Sequence, residues 1–368
     1  MFPPGFPSHA VPRPVTRPTT APGTIRPVIA AAVTVSNDSP GLERAWWPVA
    51  MAHEVAAAPV PVQLLGRWWA LVRLDGPGGP VAAFEDRCPH RLAPLSIGAV
   101  VDGELRCGYH GWRFDGSGTC TAIPALGPGA TLPPTARVPT PWAVRERHGL
   151  VWLAPERPIG ELADFPEWDD PTFERSWNEP RRTPVGAHQL VDNFLDATHL
   201  PVVHTGTFGV DADPVLPPFE VAHEGWSVGT TYRAPYKNFD DPLVATGEHD
   251  LVQPHDLTKW FSPGATALVR LEFPVTGKTL AILFACQPES AASTRLYKLM
   301  ARDDGAPMAD TVAFEDQVLD EDLAVLEPYR HRHVHLDARA EVHTRADRLG
   351  VAFRRLVAEQ LEAAAREE

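Results

Sequence analysis

Lysine is nearly missing from this chain. Only four of its 33 basic residues are Lys (Lys237, Lys259, Lys278, Lys298), against 47 acids, and the formal net charge is -14. Without a basic excess there is little to neutralise phosphates, which argues against a general nucleic-acid partner. Cysteine is scarce as well: Cys88, Cys107, Cys120 and Cys286 are the four in 368 residues. That number cannot staple a chain of this length, so free or metal-binding thiols in a cytoplasmic compartment are expected. No apolar run approaches the roughly 20 residues that cross a bilayer, so no membrane role is expected. The longest near the N-terminus, VIAAAVTV at 28–35, is short and lacks a cleavage signature after it. GxGxxG and Walker A patterns are absent, so no nucleotide site is expected.

What is present divides the chain into three. The first 37 residues are rich in Pro and Thr and carry Arg13, Arg17 and Arg26 but no acid. Residues 1–40 are expected to be a disordered tail, although a transit peptide shares the bias. From 41 to 157 short apolar or alternating runs (VPVQLLG, RWWALVRLDG, PVAAFED) are punctuated by turn signals at DGPGG, 75–79, and FDGSGT, 114–119. This predicts a small all-β domain. The proline-rich stretch at 155–171 reads as a linker or a wrapping segment. Residues 158–368 mix strand-like runs with helical patterns over 186–200, 308–330 and the last stretch from 345, predicting an α+β domain with an antiparallel sheet flanked by helices.

Two of the four cysteines fall in one segment, each beside a histidine: Cys88 and His90, then Cys107 and His110 after 16 further residues. Two thiolates and two imidazoles suit a zinc ion or an iron–sulfur centre. The neighbours complete a longer pattern: CPHR, then Leu95-Ser96-x-Gly98, then C-x-YHGW-x-F ending at Phe114. This resembles the signature of a Rieske [2Fe–2S] centre, in which two Cys hold one iron and two His the other. Tyr109 and Trp112 are expected to shield it.

A second constellation follows in DNFLDATHLPVVH. Asn193, Asp196 and His199 are spaced i, i+3, i+6, one stripe if the helix continues, and His204 lies five beyond. Pro201 interrupts such a helix, so a helix end and a turn must bring the two imidazoles together. The spacing resembles the N-x2-D-x2-H-x4-H motif of the Rieske-type non-haem iron oxygenases. The acidic run VLDEDLAVLE resembles a segment of their vanillate O-demethylase and dicamba monooxygenase branch.

That resemblance implies a helix-grip catalytic domain behind the Rieske domain and a mononuclear Fe(II) on His199, His204 and Asp322. Asp316, Asp320, Glu321 and Glu327 compete for the third place. It implies that Asp196, with Asn193 in the same motif, serves the reaction, Asp196 linking His199 to His110 of a neighbouring subunit in a homotrimer. It further implies a ferredoxin or flavin reductase that brings electrons from NAD(P)H, with O2 as co-substrate. The expected activity is hydroxylation or O/N-demethylation of a small aromatic substrate. Arene cis-dihydroxylation, natural-product hydroxylation or desaturation, and an electron-transfer protein with a degenerate catalytic domain are the alternatives. His331, His333 and His335 stand at alternate positions; a strand would align them on one face for an additional metal, but beside the expected ligand helix they read as a solvated turn. Cys120 and Cys286 read as core or surface thiols.

Overall fold

The computed structural model describes residues 34–210 and 215–366. Every paired strand is antiparallel. Three strands at Trp47–Met51, Ala143–Arg147 and Leu150–Ala154 form one small sheet. Val60–Leu64, Arg67–Arg73 and Val81–Glu85 form a second. A third holds Ala99–Val101, Glu104–Arg106, Arg113–Phe114 and Cys120–Ala122. Its hairpin loops pack on a separate core of Phe84, Leu95, Leu105, Phe114 and Val138, which includes Cys120.

The C-terminal half is one large sheet. Its order runs Glu174–Trp177, Ser293–Arg302, Lys278–Ser290, Thr266–Phe273, Val252–Ser262, Ser227–Lys237 and Ala222–Glu224, with Arg181–Thr183 also pairing with Ser293–Arg302. Strict alternation along Val252–Ser262 sends Gln253, His255, Leu257, Lys259 and Phe261 inward. Helices α1 (Ala187–Leu195), α2 (Leu200–Val203), α3 (Pro242–Thr246), α4 (Met308–Leu326) and α5 (Arg348–Arg366) complete this half. Val191, Leu195, Leu319, Leu323 and Phe353 from α1, α4 and α5 close the core over the inner face of the sheet. Phe165 and Phe173, from the proline-rich stretch and just beyond it, cover the other face against Leu283 and Leu299. Burying one such Phe stabilises by about 1.5–3 kcal/mol. Cys286 sits fully in the main core.

Three expectations change. Residues 34–40 are not tail: Thr34–Ser36 is a strand paired with His333–His335, and Val35 is fully buried. Asn37 then caps α1, accepting from Ala187 N at 2.9 Å while its amide donates to Thr294 Oγ1 at 2.9 Å. The rest of the expected tail lies outside the described residues. Nor does one helix run over 186–200. It stops at Leu195, where Asp196 turns to an extended backbone (ψ 139). Asp favours such breaks because its carboxylate competes for local backbone donors. The helix expected over 308–330 ends at Leu326.

Candidate metal centres

The first centre is built from two loops. Cys88 and His90 follow strand Val81–Glu85; Cys107 and His110 lie between Glu104–Arg106 and Arg113–Phe114. Each loop is tied to itself, Cys88 N to Ala93 O at 2.9 Å and Cys107 N to Trp112 O at 2.8 Å. Asp86 accepts from the backbone and hydroxyl of Ser96 at 2.7 and 2.6 Å. The loops approach so closely that a Cβ on Gly98 would stand 2.2 Å from Arg106 O.

Both thiols are buried, reduced and turned toward each other. Burial pushes Cys88 up to about 11, with Cys107 adding to the shift, so a thiolate here needs a cation beside it. The His90 and His110 rings are 4.5 Å apart, and His90 Nδ1 is buried with no partner among the described residues. Trp112 stacks on His90 at 4.7 Å, whereas Tyr109 is 62% exposed and covers only His110. Two inward thiols opposite two imidazoles, one with an orphaned nitrogen, match the donor set of a [2Fe–2S] Rieske cluster.

The second centre forms where α1 breaks. Asp196 Oδ1 accepts from Thr198 N (2.8 Å) and Thr198 Oγ1 (2.7 Å), and Oδ2 accepts from His199 N (3.2 Å). That turn folds the His199 ring back, so its Nδ1 lies 3.0 Å from Asp196 Oδ2. One short helical turn later His204 stands 5.2 Å from His199, ring to ring. From α4, Asp322 Oδ1 lies 3.3 Å from Nε2 of each histidine. One donor from each of the three lies within 4.8 Å of the others, with His204 and Asp322 buried. Two imidazoles and one carboxylate, leaving positions open, suit a mononuclear non-haem Fe(II).

The remaining acids of α4 are placed elsewhere. Asp320 pairs with Arg181 and Asp316 accepts from Asn178. Glu327, just past the helix, accepts from Thr183. Glu321 does something that the sequence reading missed: its Oε2 meets His204 Nδ1 at 2.7 Å and accepts from Thr207 Oγ1 at 3.0 Å. Each histidine therefore has Nδ1 held by a carboxylate and Nε2 aimed at Asp322. Such outer partners set ring orientation and ligand basicity. Asn193, expected to serve the reaction, donates to Asp322 Oδ1 at 3.3 Å.

Lys259 was also missed, because an inward strand position promises an apolar residue. It is 3% exposed, and its Nζ donates to the backbone carbonyl of Asp196. Burial pushes its pKa down to about 8 against the pull of Asp196 and Asp322. Burial would raise Asp196 and Asp322, but hydrogen bonds from His199 and, respectively, Thr198 or His204 hold both well below the usual carboxylate range. An aromatic wall leads away from His204: Phe208 stacks on it at 4.9 Å, Tyr236 on Phe208 at 5.4 Å, and Phe273 packs on Tyr236 at 5.3 Å.

Residues 45–140 match the Rieske [2Fe-2S] domain family, and residues 185–363 match the vanillate O-demethylase oxygenase C-terminal domain family. The methylxanthine N1-demethylase NdmA of Pseudomonas putida is 27% identical over 348 residues, 89% of this chain and 92% of that protein. Protein TIC 55 of Arabidopsis thaliana is 36% identical over 186 residues, 48% of this chain but 33% of that longer protein. A crystal structure of dicamba monooxygenase bound to dicamba superposes with a TM-score of 0.73 at 26% identity, covering 88% of this chain and 99% of that one. No helix among the described residues is long and apolar enough to cross a membrane.

Proposed function

The chain belongs to the Rieske-type non-haem iron oxygenases, and from that premise we propose that it is the terminal oxygenase of a demethylating system. It takes O2 and electrons that start on NAD(P)H and arrive through a separate ferredoxin or flavin reductase. The substrate is a small aromatic molecule with a methyl group on oxygen or nitrogen. In balance, R–X–CH3, O2, NAD(P)H and H+ give R–XH, formaldehyde, water and NAD(P)+.

Residues 41–157 serve as the electron-entry domain and 158–368 as the catalytic domain. When bound, a [2Fe–2S] cluster on Cys88, Cys107, His90 and His110 supplies single electrons, and Fe(II) on His199, His204 and Asp322 supplies dioxygen activation. The chain's own side chains do the rest. Asp196 and Glu321 keep Nδ1 of the two histidines occupied, so Nε2 is the free nitrogen of each. Asn193 steadies the Asp322 carboxylate between them. Phe208, Tyr236 and Phe273 offer flat apolar surface to a planar substrate and exclude water beside His204.

Asp196 also meets His110 of a neighbouring copy in a homotrimer. His110 is exposed and the Asp196 carboxylate is 32% accessible, so both have a free side to offer a partner. The proposed location is the cytoplasm, the compartment expected from the scarcity of cysteine in the sequence.

The observation that carries the reading is the shared position of Asp322 Oδ1 before both imidazoles. The test pairs EPR of the reduced protein with product analysis on methoxy- and N-methyl-arenes. A rhombic Rieske signal, substrate-dependent O2 uptake and formaldehyde in step with substrate lost support it. A cis-diol without formaldehyde would replace demethylation by dihydroxylation. Reducible cluster without substrate-dependent O2 uptake would leave only an electron carrier.

A further inference from the structure

A group of imidazoles that the oxygenase reaction does not use stands just beyond α4. His333–His335 is a strand, not the solvated turn read from the sequence, and it pairs with Thr34–Ser36. Val334 is 4% exposed and faces the core beside Val35. Side chains alternate along a strand, so His333 and His335 share the opposite face. His331, two residues earlier, joins them. Ring centroids are 5.0 Å apart for His331 and His333, 4.9 Å for His333 and His335, and 6.3 Å for His331 and His335.

No carboxylate pairs with any of these three rings among the described residues, and His335 Nδ1 is buried without a partner. Three clustered imidazoles repel one another when protonated. Burial and the other two rings accordingly push His333 below its ordinary value, keeping it neutral and free to ligate. The backbone is firm: the His331 carbonyl accepts from Gln189 of α1 at 3.2 Å, and the strand register fixes the other two.

We propose that His331, His333 and His335 bind a zinc-type divalent transition-metal ion, at a site separate from the two iron centres. A tetrahedral ion with Zn–N of about 2.0–2.1 Å sets imidazole centroids about 5 Å apart, which two of the three pairs already meet. All-imidazole donors suit Zn, Ni and Cu, whereas the cluster leaves a fourth position for water. The only donors already converged within 4.8 Å, among the described residues, are those of His199, His204 and Asp322. The third pair, His331 and His335 at 6.3 Å, closes by a change of rotamer at His331, whose side chain is exposed. Occupancy ties the chain leaving α4, at His331 just past Leu326, to the ribbon formed with Thr34–Ser36.

The test uses the full chain with both iron centres filled. Zn2+ is titrated against a chromophoric chelator, and iron and zinc are then counted. The expected result is about one zinc per chain with the iron count and the Rieske EPR signal unchanged. His333→Ala/His335→Ala keeps its iron and binds zinc at least about 100-fold more weakly, beyond the 10–100-fold typical for loss of an outer partner. His331→Asn lies before the strand and leaves the ribbon intact; it weakens zinc about tenfold or more. No zinc uptake by the iron-filled protein, uptake only as iron leaves, or uptake unchanged in the variants overturns the proposal. None of those results touches the oxygenase reading, which rests on iron and product.

Discussion

Asp322 Oδ1 lies 3.3 Å from His199 Nε2 and 3.3 Å from His204 Nε2, so one oxygen from α4 faces both imidazoles of the α1–α2 turn. Those two pieces of chain are more than a hundred residues apart, and the packing of α4 on the sheet is what joins them.

Removing that oxygen separates the two iron centres. Asp322→Asn is expected to lower iron from about three to about two per chain, with the Rieske EPR signal intact. Turnover is abolished. Metal counting beside EPR decides it: full iron in the variant would move the third ligand elsewhere.

Glu321 is an orienting residue, not a ligand, in this geometry. Glu321→Ala is expected to weaken the mononuclear iron or turnover by about 10–100-fold, the usual cost of losing an outer partner of a ligating histidine. Glu321→Gln, whose amide oxygen still accepts from His204 and Thr207, should recover most of it. Competition for iron with a chelator measures both; equal losses in the two variants would argue against orientation.

Lys259 anchors the turn that carries Asp196. Lys259→Met is expected to lower kcat about tenfold, equal to about 1.4 kcal/mol on the barrier, with KM nearly unchanged. Stability changes less, because losing the bond to the carbonyl is offset by no longer burying a charge. Lys259→Arg should restore part of the rate. A Tm drop that scales with the rate loss, without rescue by Arg, would reduce Lys259 to a packing role.

Acid should destabilise the protein before its carboxylates titrate. Burial lowers His148, His188 and His255 from 6.5 to about 4. A base with a depressed folded pKa binds fewer protons folded than unfolded, so its contribution is full above about pH 6.5 and is lost as pH falls toward 4. At about 1.4 kcal/mol per pH unit, each can remove up to about 3 kcal/mol by pH 4. His188 stacks against Phe353 in the core, so His188→Leu should keep the fold and flatten the slope. Urea midpoints at pH 7 and pH 5 measure it; an equal fall in variant and wild type would contradict the assignment.

The sequence by itself determined whatever depends on short spacing. Cys88-x-His90 and Cys107-x2-His110, with the glycines that let their loops touch, are local patterns whose geometry follows from a few turns. His199 and His204 are similarly close, and Pro201 already announced that no continuous helix joins them. Short apolar and alternating runs were enough to mark an all-β first half, and strands set between helical stretches an antiparallel sheet in the second. Tertiary structure alone decided the rest. On α4, consecutive residues point about 100° apart, so the roles of Asp320, Glu321 and Asp322 depend on how that helix is rotated against the sheet. Packing turned Asp322 to both imidazoles, Glu321 to the back of one, and Asp320 outward to Arg181. Lys259 was hidden for the same reason: a strand position shows its face by period, but the carbonyl that satisfies a buried cation comes from another element. Asn37 and the His331–His335 cluster gained their places only when a strand from the expected tail paired across nearly three hundred residues, a contact with no local signature.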